Sequence, residues 1–307
     1  MKKPRLPITK PGIVSGIDIA DYHSGGICDG PSVSSTGLRL LWRTQSPAHF
    51  WTAWRCNPKA VREPPSEAMV LGSAAHHLLL GEADFSTKFI ARPDALKDED
   101  GDLLPWHGLR KVCKAWLRDQ ERAGRTVLTM LQLEAIRGMA RSLAKDPLVK
   151  AGALSGQIEL SMFAKHPKTG IWLCARPDAK PVSDGDFCDL KSTEDITDAG
   201  IFRMLRNSGV QIQGALTWMI CDLLNEPFTS FNLIFAETKE PFCVRVVPLT
   251  DDDLSLGRRQ IEWGLDTIAK CIKENRWIGP GANDPRAIGM PVAERDYINN
   301  KLTAMGF

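Results

Sequence analysis

The sequence predicts an α/β protein in which a mixed, largely antiparallel sheet is flanked by helices and preceded by a helical decoration. Three observations predict it. Residues 157–193 parse as three short strands joined by two tight loops, with side chains alternating between faces. Residues 228–236 and 242–249 read as an antiparallel pair that extends the sheet. Around them lie helical segments, among which Ile212, Leu216, Met219, Ile220 and Leu223 have the spacing of one buried helix face. A parallel dinucleotide-binding sheet is disfavoured, because no G-x-G-x-x-G follows a strand.

Bulk properties bound the function. A chain of 307 residues with 43% hydrophobic and 25% charged content can bury a substantial core, and without an internal repeat or low-complexity linker one domain over 1–307 is the economical reading. Within it, 32–150 is mainly helical, 151–250 carries the sheet, 251–276 is a long helix and 277–307 a tail. The net charge of +2 does not announce a nucleic-acid binder, so any phosphate contact has to come from local clustering. No apolar run is long enough to span a bilayer, and the basic residues at 1–10 are followed by no apolar block; a cytoplasmic protein is expected. The eight cysteines form no C-x-x-C, so reduced buried thiols are expected rather than zinc or an iron–sulfur cluster.

Two short helices are expected over 32–54. The first follows Ser34-Ser35, whose hydroxyls and free N–H groups either cap the helix or hold an anion. The second is announced by Ser46-Pro47 as N-cap and first helical residue. Trp42, Phe50, Trp51 and Trp54 read as packing aromatics. A helix over 66–80 stops at Gly81 and carries His76 one turn after Gly72; a lone helical histidine is usually packed or on the surface. A strand is expected over 85–93 and a polar, acidic loop over 94–107. Residues 109–150 read as helical, with Arg110, Lys111, Lys114, Arg118, Arg122, Arg125, Arg137, Arg141 and Lys145 forming the densest basic region. Such runs are ordinarily solvated faces, yet a DNA binder of near-zero net charge needs one to neutralise phosphates. After the three strands, helices are expected over 197–207 and 210–224, and Asp251-Asp-Asp-Leu caps the last long one.

The three-strand stretch concentrates the chemistry. In the first strand Ile158, Leu160 and Met162 share a face and Glu159 takes the other; in the second, over 171–179, Ile171, Leu173 and Ala175 oppose Arg176 and Asp178. The third places Asp189 and Lys191 on one face and Cys188 and Leu190 on the reverse. With turns at 166–170 and 181–186, Glu159, Asp178, Asp189 and Lys191 converge on one surface. Two carboxylates about 4 Å apart at an effective dielectric of about 20 repel by roughly 4 kcal/mol. Asp178 and Asp189 stay ionised there only with a cation between them, and an oxygen-rich cluster favours Mg²⁺ or Mn²⁺. A neighbouring lysine can orient an attacking water and stabilise charge on phosphoryl oxygens. Taken alone, the Asp-Leu-Lys triplet is more often a solvated strand pair. Glu159 falls nearly opposite Arg176, which leaves a structural ion pair and a catalytic role both open.

The wider pattern is more specific. Pro177-Asp178, a turn, then Asp189-Leu190-Lys191 resembles the PD-(D/E)xK nuclease motif. Leu71-Gly72-x-Ala74-x-His76 lies upstream and Gln213-Gly-Ala-Leu-Thr217 downstream. With the Pro31-Ser-Val-Ser-Ser-x-Gly-Leu opening and the late Trp277-Ile-Gly-Pro, the ordered set is similar to the RecE-type (exonuclease VIII) branch of that superfamily, found mostly in phages and prophages. The resemblance implies a restriction-endonuclease-like core and a divalent-metal-dependent exonuclease on double-stranded DNA, working 5′ to 3′ and leaving 3′ single strands for recombination. It implies Asp178 and Asp189 as metal ligands, His76 and the Leu190 carbonyl as completing coordination, Lys191 as the lysine acting on water, and Gln213 as the glutamine of a Q-x-x-x-Y motif. Thr217 stands where that motif has tyrosine. Ser34 and Ser35 are the residues it implies for a terminal 5′-phosphate, while Arg176, Lys111, Lys114 and Arg118 are expected to contact DNA. The implied partners are DNA ends, a single-strand annealing protein and further copies of the chain in a homo-oligomer, a ring being one form, in the cytoplasm of a bacterial host. Two other classes stay open: an endonuclease or repair nuclease of the same superfamily, and a DNA-binding module with a dead site. The presence of Asp178, Asp189 and Lys191 together argues against the last.

Overall fold

The computed structural model describes residues 7–61, 64–80, 85–181, 185–281 and 289–306. The chain opens with β1 (Gly12–Val14), a single turn α1 (Ile19–Tyr22) and β2 (Ser32–Ser34), then enters α2 (Ser35–Thr44), α3 (Pro47–Ala53) and α4 (Glu67–Leu79). Ser46 accepts the His49 N–H and Pro47 takes the first helical position, where its missing donor costs nothing. Ser66 starts α4 by accepting the Met69 N–H; the expected stop, Gly81, lies outside the described residues. β2, which no local pattern announces, exists because Ser32, Val33 and Ser34 pair in parallel with Trp172, Leu173 and Cys174.

Next come α5 (Phe85–Lys88), β3 (Phe89–Ala91), β4 (Ala95–Lys97), β5 (Leu103–Pro105), α6 (Lys111–Arg122), β6 (Thr126–Leu128), α7 (Met130–Leu143) and α8 (Pro147–Lys150). Two expectations are corrected here. The acidic stretch 94–107 is a β-hairpin: Leu96 pairs with Leu104, and the Asp98 carboxylate accepts the N–H groups of Asp100 and Asp102 at its tip. Its Asp and Gly residues build a turn rather than a loose loop. Nor is 109–150 continuous helix. Gly124, at φ 69°, turns the chain so that β6 can pair in parallel with β3 before the Thr129–Gln132 capping box starts α7.

The second half contains β7 (Gln157–Ile158), β8 (Ser161–Lys165), β9 (Trp172–Ala175), β10 (Ala179–Lys180), β11 (Asp186–Thr193), α9 (Asp198–Ser208), α10 (Gln211–Leu224), β12 (Ser230–Glu237), β13 (Val244–Pro248), α11 (Asp251–Glu274) and α12 (Val292–Ala304). One hairpin serves two sheets. β8 and β9 pair within a four-stranded sheet of order β1-β8-β9-β2, whereas β7 and β10 pair within a five-stranded sheet of order β13-β12-β11-β10-β7. The single strand expected over 171–179 is therefore two strands, and the first strand is split in the same way. Pro177 has no N–H to give a ladder and Glu159 sits at φ 54°, so regular pairing cannot run through. The Glu159 N–H still reaches the Asp178 carbonyl at 2.9 Å, which keeps the hairpin closed across its break. The turn expected at 181–186 lies partly outside the described residues.

The five-stranded sheet is covered on both faces. Phe187 of β11 joins Phe231, Leu233 and Phe235 of β12 in a cluster with Leu38 of α2, Leu216 of α10 and Ile261 of α11. Cys188, Leu190, Ile234 and Ala236 point the other way, onto Ala74 of α4 and Ile136 and Met139 of α7. The alternation expected for β11 holds, and it sets Asp189 and Lys191 on the Phe187 side, toward α10. α9 and α10 form the crossover from β11 to its parallel neighbour β12, and β13 returns antiparallel. α11 is capped by Thr250, not by the aspartates after it, which instead place negative charge in its first turn. Gly257 lets α11 lie close on α10, since a Cβ there would be 2.8 Å from the Gln211 carbonyl. Among the described residues no helix is long and apolar enough to cross a membrane.

Candidate active site

β11 and α10 build one half of the site. Asp189 is 1% exposed, and its carboxylate meets both the Lys191 ammonium and the Gln213 amide N–H. Lys191 in turn donates to Gln213 Oε1 at 3.3 Å, so the two ends of one amide hold the acid and the base in a fixed relation. Thr217, the departure from Q-x-x-x-Y, turns its hydroxyl back onto the Gln213 carbonyl at 3.1 Å. It supplies nothing to the site.

α4 and the hairpin break build the other half. Gly72 of α4 faces β11, where a Cβ would meet the Ser192 hydroxyl at an ordinary 3.4 Å. One turn later His76 donates from Nε2 to the Leu190 carbonyl at 2.8 Å and presents Nδ1 to Asp178 Oδ2 at 3.4 Å. Asp178 Oδ2 also accepts the Leu190 N–H at 2.6 Å. The Leu190 carbonyl, expected as a metal ligand, is thus engaged by His76. Glu159 pairs with Arg176, whose guanidinium also donates to the Ile17 carbonyl at 2.9 Å and to the Ser161 hydroxyl at 3.4 Å. Arg176 therefore fastens Glu159 and the N-terminal segment in place. His76, Glu159 and Asp178 each offer one ligand atom, all within 4.8 Å of one another. Both readings of Glu159 are compatible with this geometry, whereas Asp189 stands outside the triad with Lys191 and Gln213.

The charges are unevenly balanced. Burial works to raise Asp178, but His76, Lys191 and the Leu190 N–H hold it below the ordinary carboxylate value. Asp189 moves the other way, raised by burial and by the charge of Asp178 against the pull of Lys191 and His76. Burial would lower His76, yet the Asp178 carboxylate, helped by Asp189, takes it to about 9. His76, Glu159 and Asp178 together make a donor set of one imidazole and two carboxylates, with Asp178 held in its ionised form. A divalent cation fits it. His76, Glu159 and Asp178 would hold the ion, since an imidazole nitrogen and carboxylate oxygens are ordinary ligands for such metals.

His76, Glu159, Asp178, Lys191 and Gln213 line one cavity of about 820 Å³. Ser34, Ser35 and Thr36, at the start of α2, form a second wall, and Ile17, Asp18, Tyr22 and His23 a third. Ser34 occupies the N-cap position, but its side chain makes no capping bond, so the cap does not account for that hydroxyl. The third wall is the part that sequence reasoning missed. The guanidinium groups of Arg55 and Arg176 sit over the Tyr22 ring at 5.4 and 5.5 Å, contacts between residues too distant in the chain to show in any local pattern. Lys111, Lys114 and Arg118 do not line the cavity; Lys111 pairs with Glu99 at 2.7 Å on the surface of α6.

The chain is similar to the crystal structure of a candidate exonuclease from Eubacterium rectale, with 15% sequence identity, a TM-score of 0.59, and coverage of 92% of this chain and 98% of that one. At that identity the likeness is one of fold. Among curated proteins, none matches. A family profile described as a PDDEXK-like domain of unknown function (DUF3799) matches residues 34–282, a span that runs from the start of α2 through β11 to beyond α11. With its carboxylates and lysine set on β11 and the break before β10, the chain belongs to that PDDEXK-like family.

Proposed function

We propose that the protein is a Mg²⁺-dependent exodeoxyribonuclease of the RecE type, which digests one strand of double-stranded DNA from its end, 5′ to 3′, and leaves 3′ single strands for recombination. One juxtaposition carries the reading: the metal-ligating triad with Lys191, and the helix start at Ser34 and Ser35, face the same cavity. A nuclease of the PDDEXK type needs the first group, and an enzyme that recognises a strand terminus needs an anion site such as the second. The description of the similar structure as an exonuclease supports the same choice.

Each side chain then has a task. A bound divalent cation would compensate the carboxylates and draw charge from the phosphodiester. Asp178, pinned by the Leu190 N–H, and Glu159, pinned by Arg176, hold their oxygens in place for it. Lys191 gives its ammonium to the attacking water and to the phosphoryl oxygens as charge gathers on them, and Gln213 keeps Lys191 and Asp189 in register. Ser34 and Ser35 would receive a terminal 5′-phosphate. Double-stranded ends, a single-strand annealing protein and further copies of the chain, in a ring or another closed form, are the proposed partners.

Digestion of 5′-labelled and 3′-labelled linear duplex, with Mg²⁺ and with EDTA, tests the reading, with covalently closed circular DNA as the second substrate. Release of the 5′ label first, in Mg²⁺ only, with the circle intact, is the expected result. A cut circle would make the protein an endonuclease, and binding without cleavage would make it a DNA-binding module.

A further inference from the structure

Arg39 is a cation that the reaction as drawn leaves unused. It stands four residues after Ser35 on α2, so the two share a helix face; Ser35 lines the catalytic cavity, and Arg39 adjoins it without being one of the lining residues. Its Nε is buried and has no hydrogen-bond partner among the described residues. Burial lowers its pKa from the ordinary value; the charge of Asp189 opposes that, and Arg43, exposed one turn further along, adds to it. The stem is covered by the end of α9, where a Cβ on Gly209 would lie 3.4 Å from Arg39 Cγ. Trp42, packed edge-on against Trp263 of α11 at 5.5 Å, fixes the rotation of the helix. A buried guanidinium N–H without an acceptor costs stability that the charge of Asp189 offsets only in part, and an apolar side chain of similar length would avoid the cost. A site that keeps such a group is explained when a ligand brings the acceptor. The planar fork of a guanidinium matches a phosphate.

We propose that Arg39 is a substrate-positioning residue that receives a backbone phosphate of the bound DNA strand beside the reacting centre, with Ser35, Arg39 and Arg43 forming one stripe along α2. The inference rests on the nuclease reading above. Its competitor is that Arg39 serves only as a counter-charge to Asp189.

The test uses the full chain, a short 5′-phosphorylated duplex, and the variants Arg39→Met and Arg39→Lys. Binding is followed by fluorescence anisotropy in EDTA across a salt series, and cleavage in Mg²⁺ as separate KM and kcat. Arg39→Met is expected to weaken binding by about tenfold, flatten the log affinity against log salt by about one unit, and leave kcat within about threefold. Its thermal midpoint should be equal to or above that of the wild type, because an unsatisfied polar group has been removed. Arg39→Lys should restore the salt slope and only part of the affinity, since an ammonium keeps the charge and loses the fork. Unchanged binding and slope in Arg39→Met, a loss confined to kcat, or a lowered thermal midpoint would each overturn the assignment. If the wild type itself failed to bind or cut DNA, the nuclease reading would fall with it; a wild type that cuts beside an indifferent Arg39→Met removes the Arg39 inference alone.

Discussion

Asp189 sits where its ionised form is disfavoured. Burial and the neighbouring Asp178 raise its pKa, and Lys191 and Gln213 are occupied in holding it. Asp189→Asn keeps the shape and relieves the repulsion, so its unfolding midpoint is expected at or above the wild-type value while cleavage drops by at least about a hundredfold. Calorimetry together with a cleavage assay decides it: a variant that stays active, or one that unfolds easily, contradicts this account of the residue. Lys191→Ala should separate differently. Its loss leaves the triad of His76, Glu159 and Asp178 intact, so turnover collapses while metal affinity, read by titration calorimetry, changes little. Activity restored simply by raising Mg²⁺ would place Lys191 in metal binding instead.

At the scale of elements, the break in the hairpin matters most. By ending β9 at Ala175 and restarting at Ala179, the chain turns from one sheet into the other, and the residues in the gap, Arg176 and Asp178, face the cavity with Glu159 from the opposite arm. The positive φ of Glu159 is the kind of backbone strain that the surrounding hydrogen bonds have to over-determine. The start of α2 makes a separate prediction. Replacing Ser34 and Ser35 together with Ala removes two hydroxyls and leaves the helix N–H groups, so a reduced, not abolished, preference for 5′-phosphate over 5′-hydroxyl ends is expected, with cleavage itself retained. Rates on both kinds of end give the ratio; if it stays constant, the 5′ pocket lies elsewhere.

At the scale of the whole molecule, the cavity is a meeting point of parts far apart in the chain: the N-terminal segment, α2, α4, β11 and α10. A cation bound by His76 of α4 and by Glu159 and Asp178 of the hairpin break favours the folded chain by mass action. Mg²⁺ or Mn²⁺ should raise the thermal midpoint and EDTA should reverse it, with a smaller shift in Glu159→Gln. A wild-type midpoint indifferent to both ions would speak against the triad as the metal site.

The sequence by itself determined whatever depends on near neighbours. The faces of β11 follow from the pleat alone, which is why Asp189 and Lys191 could be set against Cys188 and Leu190 without a structure. Helix starts at Ser46 and Ser66 follow from the demand of free N–H groups for an acceptor. His76 was legible only through the ordered set of motifs, since nothing in α4 tells a ligand from a packed histidine, and its bond to Leu190 joins residues 114 positions apart. Tertiary structure alone decided the rest: the split of one strand into β9 and β10, the bond from His76 to the Leu190 carbonyl, the place of Asp189 outside the triad of His76, Glu159 and Asp178, and the cavity wall that includes Tyr22. Each of these is fixed by close packing and charge between segments that meet only when the core closes, and no local periodicity carries that information.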